Sequence, residues 1–317
     1  MSGGKSFLHQ HIDFADLISQ IARNLNIDPY LVEKDYWLMH CLWALQQHGW
    51  QFELKGGTSL SKGYGIIERF SEDIDIRFEP DPELELKVGK NQDKPAHILA
   101  RKSFFDDLAG RISIPGLTDV RRDSDYDDEK YRNGGIILDY PSVVTQLSGV
   151  KSGILLEVGF DVTAPNAPCT ISSWVMDAAF ASGIDVIDNR AVEVACYSPA
   201  YTFVEKLQTI STKFRKQQKD GGFPKNFMRH YYDIYCLLDN APVQAFIGTP
   251  KYCAHKQARF PKADNQHIAS NEAFLLSDPA TRALYQREYE KTAALYYTGQ
   301  IPFADILTRI HQHIEQL

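Results

Sequence analysis

Asp73 and Asp75 stand two residues apart in FELKGGTSLSKGYGIIERFSEDIDIRF, the stretch from Phe52 to Phe78. Residues two apart on a strand leave the same face, so two carboxylates at this spacing project in parallel. Parallel carboxylates repel unless a cation lies between them. Mg²⁺ prefers oxygen ligands and keeps positions open for phosphate. A pair of such ions can activate an attacking hydroxyl and stabilise a leaving pyrophosphate. Asp-x-Asp alone is common on exposed strands, so its neighbours decide. Gly56 and Gly57 lie between the strand reading Phe52 to Lys55 and a short helix expected from Thr58 to about Glu68. Glycine lets a backbone turn sharply and approach a ligand closely. The first amides of a helix lack intrahelical partners and favour an anion. Thr58 or Ser59 adds a hydroxyl to what reads as a triphosphate cradle.

A third carboxylate on a neighbouring strand would complete such a site. In GILLEVGFDV, Ile154, Leu156, Val158 and Phe160 share one face, and Leu155, Glu157, Gly159 and Asp161 share the other. Glu157 is the first candidate and Asp161 the second; a surface or salt-bridge role is the alternative for Glu157.

These side chains need a scaffold, and the hydrophobic pattern supplies one. Phe14, Leu17, Ile18, Ile21 and Leu25 recur at helical spacing. Asp28-Pro29 then reads as a cap and first turn for YLVEKDYWLMHCLWALQQHG. Within it Tyr36 and Trp37 read as core, and Glu33, Lys34 and Asp35 as caps or braces. Ser71 to Phe78 reads as a strand with Ile74, Ile76 and Phe78 inward and Asp73, Asp75 and Arg77 outward. EPDPELELKVGKNQDKPAH reads as loop, Ile98 to Ile112 as helix, and DVRRDSDYDDEKYR as a solvated turn. GGIILDYPSVV and GILLEVGFDV read as strands paired through LSGVKSG.

Beyond Pro199 the pattern is helical. Phe203, Leu207, Ile210 and Phe214 give one stripe; Phe227, Tyr231, Ile234, Tyr235 and Leu238 give another, with Arg229 and Asp233 opposite it and one turn apart. The fold expected is α+β: a mixed sheet with flanking helices over residues 1–198, including a helical segment 1–50, then a helical domain over 199–317.

The 317 residues allow a sizeable core, and a net charge of −7 argues against a general nucleic-acid coat. Lys206, Lys213, Arg215, Lys216, Lys219, Lys225 and Arg229 nevertheless form a dense basic stretch, readable as a solvated face or a ligand-binding one. No apolar run nears the roughly 20 residues that span a bilayer, and MSGGKSFLHQHIDF lacks a signal-peptide core. Five scattered cysteines fit reduced thiols in a cytoplasmic protein without a membrane partner.

In order along the chain, VEKDYWLMHCLWAL, ELKGGTSLSKGYG, RFSEDIDIRF, LLEVGFD, FVEKLQTI and RHYYDIYCLL resemble the landmarks of the AbiEii/AbiGii toxin family, within the nucleotidyltransferase superfamily that includes DNA polymerase beta. The likeness runs from about Val32 to Leu238. It implies a minimal nucleotidyltransferase core, a helical C-terminal half, and transfer of a nucleotide from an NTP using Mg²⁺, with Mn²⁺ as a substitute. It implies an RNA acceptor such as the tRNA 3′ end, and a cognate antitoxin encoded nearby. By motif, Gly56, Gly57, Thr58 and Ser71 would hold the nucleotide, Asp73, Asp75 and Glu157 the metal, Lys206 the triphosphate, and Asp233 would be the later catalytic aspartate. Read from spacing alone, Lys206 is a solvated helix lysine and Arg229–Asp233 an ordinary one-turn ion pair. His230 reads as structural. Two other classes compete: a nucleotide- or partner-binding module without turnover, and a small-molecule (antibiotic) nucleotidyltransferase.

Overall fold

The structure, a computed structural model, describes residues 5–89, 91–224 and 226–317. Lys225 of the basic stretch and the first four residues lie outside the described residues. The chain divides into two compact units, residues 1–63 with 71–197, and residues 64–70 with 198–317.

The first unit is built on one mixed sheet. Its strands are β1 (Phe52–Lys55), β2 (Asp73–Phe78), β3 (Asp119–Asp123), β4 (Asn133–Asp139), β5 (Ile154–Gly159), β6 (Asn166–Ile171) and β7 (Ala191–Tyr197), in the spatial order β3-β4-β5-β2-β1-β7-β6. β2 runs parallel to β5 and β1 parallel to β7, while the other neighbours are antiparallel. The expected alternation on β2 holds, with Ile74, Ile76 and Phe78 all buried. DVRRD, expected as a turn, is instead the edge strand β3. Charged side chains suit an edge because they discourage further pairing, and here Arg121 meets Asp139 and Arg122 meets Asp106 and Asp127.

Helices α1 (Phe14–Leu25) and α2 (Pro29–Gln47) precede the sheet. The Asp28 carboxylate caps α2 by accepting from the Tyr30 amide at 2.8 Å. Helix α2 packs against β2, β5 and β7 and is buried nearly all round, including Tyr36 and Trp37. Beyond β1 the chain forms one α-helical turn, α3 (Gly56–Thr58), which continues as a π-helical turn over Ser59–Gly63. This helix starts two residues earlier than expected and stops well before Glu68. Helix α4 (Pro95–Arg111) lies against β3 and β4, and α5 (Trp174–Ala181) against α1 and α2.

A polar knot joins the start of the chain to α2. The buried His40 ring meets the Pro115 carbonyl through Nε2 (2.8 Å) and Asn189 Nδ2 through Nδ1 (2.7 Å), and the Tyr36 hydroxyl meets His9 Nδ1 at 2.8 Å. Burial pushes His40 down to about 4, and burial together with His40 does the same to His9. A lowered folded pKa means the unfolded chain binds more protons between about 4 and 6.5. Stability from this knot is therefore complete above pH 6.5 and declines as pH falls toward 4. For His40 the expected loss across that window is about 3 kcal/mol at most, at ~1.4 kcal/mol per pH unit. Urea unfolding at pH 7 and pH 4.5 measures it; equal midpoints would contradict the assignment.

The second unit is helical: α6 (Pro199–Asp220), α7 (Arg229–Leu237), α8 (Ala241–Phe246), α9 (Pro250–Arg259), α10 (Glu272–Leu275), α11 (Pro279–Glu290) and α12 (Phe303–His313). Both expected stripes are used, with Phe203, Leu207, Ile210, Phe227, Tyr231, Ile234 and Leu238 buried. The basic stretch is not one solvated face: Lys206 and Arg229 are buried and Arg215 pairs with Asp264 at 2.5 Å. Among the described residues no helix is long and apolar enough to cross a membrane.

Candidate active site

The parallel register of β2 and β5 sets Asp73 beside Leu155 and Asp75 beside Glu157. Partners in register share a face, so Asp73, Asp75 and Glu157 gather on one side of two central strands. Asp75 and Glu157 stand directly side by side across the two strands. Burial, and then the adjacent Asp75 and Asp73, hold the Glu157 carboxyl well above the usual carboxylate range. Asp161 lies two residues past the end of β5 and is exposed.

The cradle sits against this set. Gly56 adopts φ +73°, a left-handed conformation that favours glycine. A Cβ added there would run into Asp75, lying 2.9 Å from its Cγ and closer still to Oδ2. Gly56 thus gives up a side chain so that the first turn of α3 can lie directly on Asp75. Gly57 and Thr58 in that turn are buried. The Thr58 hydroxyl donates to the Asp73 carbonyl at 2.5 Å and the Ser59 hydroxyl to the Gly56 carbonyl at 3.1 Å. Both hydroxyl protons are thereby engaged with backbone, and Thr58 ties the cradle helix to the strand carrying the acids. Ser71 is half-buried just before β2.

Gly56→Ala is expected to displace either α3 or Asp75, costing about 1–3 kcal/mol of stability in strain alone. Thermal unfolding checks this; a melting temperature within 1 °C of the parent, on the order of a negligible ΔΔG, would show that the turn relaxes freely.

Three consecutive charges on α2 brace the same region. Glu33 accepts from the Val143 amide at 2.8 Å and from the Ser142 hydroxyl at 2.5 Å. Lys34 donates to the carbonyls of Lys151 (2.6 Å) and Gly153 (2.7 Å). Asp35 pairs with Lys62 at 2.8 Å and accepts from the Trp174 amide at 2.9 Å. Each buried charge has partners, as burial demands, and together they fix the π turn and the β4–β5 connection. Sequence reasoning passed over Lys151 in that connection: its ammonium lies 3.3 Å from Asp73 Oδ1. No local signal marks it, because its neighbours in space are remote in sequence.

Lys206 and Asp233 belong to the second unit, where they are paired at 2.5 Å. Asp233 is fully buried rather than on a polar face, and Arg69 grips it with two bonds of 2.7 and 2.8 Å. Lys206 likewise is buried, not solvated. Burial alone would raise the Asp233 carboxyl; Arg69 and Lys206 outweigh it and hold that group far below the usual range. His230 is kept neutral, its pKa pushed well down by burial and then by Lys213 and Lys206.

The donor chemistry of Asp73, Asp75 and Glu157 suits a hard divalent cation: all are oxygen ligands, and their crowding is relieved only by a proton or a cation. Among the described residues, however, no three His, Cys, Asp or Glu side chains are already arranged to hold a metal ion.

A mixed sheet carrying a glycine-opened turn beside an acidic strand fits the nucleotidyltransferase class, and comparison with known proteins agrees. The family model described as "Nucleotidyl transferase AbiEii toxin, Type IV TA system" matches residues 37–309. The chain belongs to that family. Among solved structures it is similar to an antigenic nucleotidyltransferase-like protein from Paracoccidioides brasiliensis, at 12% identity over 73% of this chain and 95% of that one, with a TM-score of 0.35. A likeness that remote carries no weight for function. No curated protein matches the chain.

Proposed function

We propose that this chain is a Mg²⁺-dependent nucleotidyltransferase, with Mn²⁺ as a substitute, that moves a nucleotide from an NTP to an RNA acceptor such as the tRNA 3′ end. It would act in the cytoplasm as the toxin of a pair with a cognate antitoxin. Residues 1–198 would form the nucleotidyltransferase-like domain and 199–317 a helical domain. The observation that supports this best is the register-matched acidic set lying against the Gly56 turn.

In this reading Asp73, Asp75 and Glu157 hold the cation, whose contribution when bound is to neutralise triphosphate charge and acidify the acceptor hydroxyl. The main-chain amides of Gly56, Gly57 and Thr58, with Ser71, orient the phosphates. With Glu33, Lys34 and Asp35 fixing the surrounding segments, the chain supplies positioning and charge stabilisation, the two largest contributions available to phosphoryl transfer. Lys206 and Asp233 are included in the nucleotide-handling and catalytic set on the sequence resemblance alone.

Incubating the purified protein with each labelled NTP, Mg²⁺ and total RNA, then sequencing RNA 3′ ends, tests the reading. Label should move to RNA, tRNA ends first. No transfer from any NTP with Mg²⁺ or Mn²⁺ would overturn it.

A further inference from the structure

We propose that Lys151 is the resident counter-ion of the acidic set, and that a divalent cation must displace its ammonium from Asp73 to bind. The inference rests on the metal reading above and adds a residue to it.

Lys151 is held by its backbone with its side chain directed at the acids. Its carbonyl accepts from Lys34 Nζ at 2.6 Å and from the Tyr30 hydroxyl at 2.9 Å, and its amide donates to Glu72 Oε2 at 3.1 Å. At the far end Nζ lies 3.3 Å from Asp73 Oδ1, is hydrogen-bonded to the Tyr126 hydroxyl, and rests 4.6 Å from the centre of the Tyr126 ring. The ammonium also attracts Glu157. The groups facing it are thus Asp73, Glu157 and Tyr126, with Lys34 beneath on the carbonyl side.

Lys151 brings a cation into hydrogen-bonding reach of the set. A univalent ammonium offsets one of three carboxyls, which leaves the set short of positive charge. A divalent cation on Asp73 and Asp75 would meet the ammonium within a few ångströms, where like charges repel strongly. The lysine stem is flexible and its side chain one-third exposed, so Nζ can withdraw while the braced backbone stays. Tyr126, whose ring and hydroxyl hold Nζ where it is, anchors the ammonium against that withdrawal. Such exchange keeps the acids together before metal arrives and raises the metal concentration needed to load the site.

Mn²⁺ binding to the full-length protein, read by the electron paramagnetic resonance of free Mn²⁺, tests this without any turnover. Lys151→Gln should bind Mn²⁺ roughly tenfold more tightly than the parent, since a competing charge is gone. Lys151→Arg should bind like the parent, and Tyr126→Phe, which loosens Nζ, should tighten binding to a smaller degree. Melting temperatures add a second readout: Lys151→Gln should melt lower in EDTA yet gain more from Mn²⁺. An affinity equal to or weaker than the parent's, or a melting temperature lowered equally with and without Mn²⁺, would overturn the inference alone. A parent protein that binds no Mn²⁺ would overturn the metal reading and this inference with it. If Lys151→Gln does not fold, Tyr126→Phe decides: tighter binding supports the exchange, and unchanged binding refutes it.

Discussion

Asp73→Ala and Asp75→Ala are each expected to lower nucleotide transfer by about a thousandfold or more, the scale of several kcal/mol of lost charge stabilisation at a metal centre. The same variants should remain folded. Asp75 stands beside Glu157 in a crowded acidic pair, so its removal relieves repulsion rather than breaking a net attraction. Asp73 loses the Lys151 contact, but that ammonium is one-third exposed and keeps its Tyr126 partner, so it is not left as an uncompensated buried charge. The combination is diagnostic: transfer falls while the denaturation midpoint holds or rises. Measured in the labelled-RNA assay beside urea unfolding, activity within tenfold of the parent would remove these carboxylates from the chemistry. An activity loss that merely tracks a lower midpoint would make them structural.

Asp233→Ala carries the largest expected effect on stability. The carboxylate is fully buried between the Arg69 guanidinium and the Lys206 ammonium, whose side chains are 4% and 8% exposed. Truncating it leaves two buried cations facing each other without their counter-charge. Breaking a buried pair from one side costs about 3–5 kcal/mol, and the second cation places this case at the upper end. A network of this kind adds little over apolar packing of the same volume, so the triple variant Arg69→Met, Asp233→Leu, Lys206→Met should regain much of the loss. Urea midpoints of the single and triple variants provide the comparison. A single variant losing under about 1 kcal/mol would mean that water reaches the site, since only solvated pairs are that cheap to break.

What could be read ahead of the structure followed local periodicity. The two-residue alternation of DIDIRF gave β2 and put both aspartates on one face, and the alternation in ILLEVG did the same for Glu157. Helical stripes in α1, α6 and α7 were equally plain, since burial selects apolar residues at a fixed period. β3 was missed because an edge strand carries charges that resemble a turn. AVEVACY, which became β7, lacks a clean alternation, its burial running buried, two exposed, buried, then mixed; NAPCTI, which became β6, does alternate, but through small inward side chains and with a proline that reads against a strand.

Long-range partners were the harder part. Lys151 sits in a turn-like string, and only contacts to Tyr30, Lys34 and Glu72 aim it at Asp73. Asp233 looked like half of a one-turn ion pair, yet its bidentate partner is 164 positions away. The string Glu33-Lys34-Asp35 is polar in a helix whose every side is buried, a case in which amphipathic patterning gives no orientation at all.

The seven residues 64–70 leave the sheet unit after the cradle and join the helical unit before the acidic strand begins. A gene fragment that stops near residue 198 therefore carries Arg69 without Asp233, and the Phe70 amide without the Leu295 carbonyl it meets at 2.7 Å. The two units are interleaved along the polypeptide, so no single cut of the gene separates them cleanly.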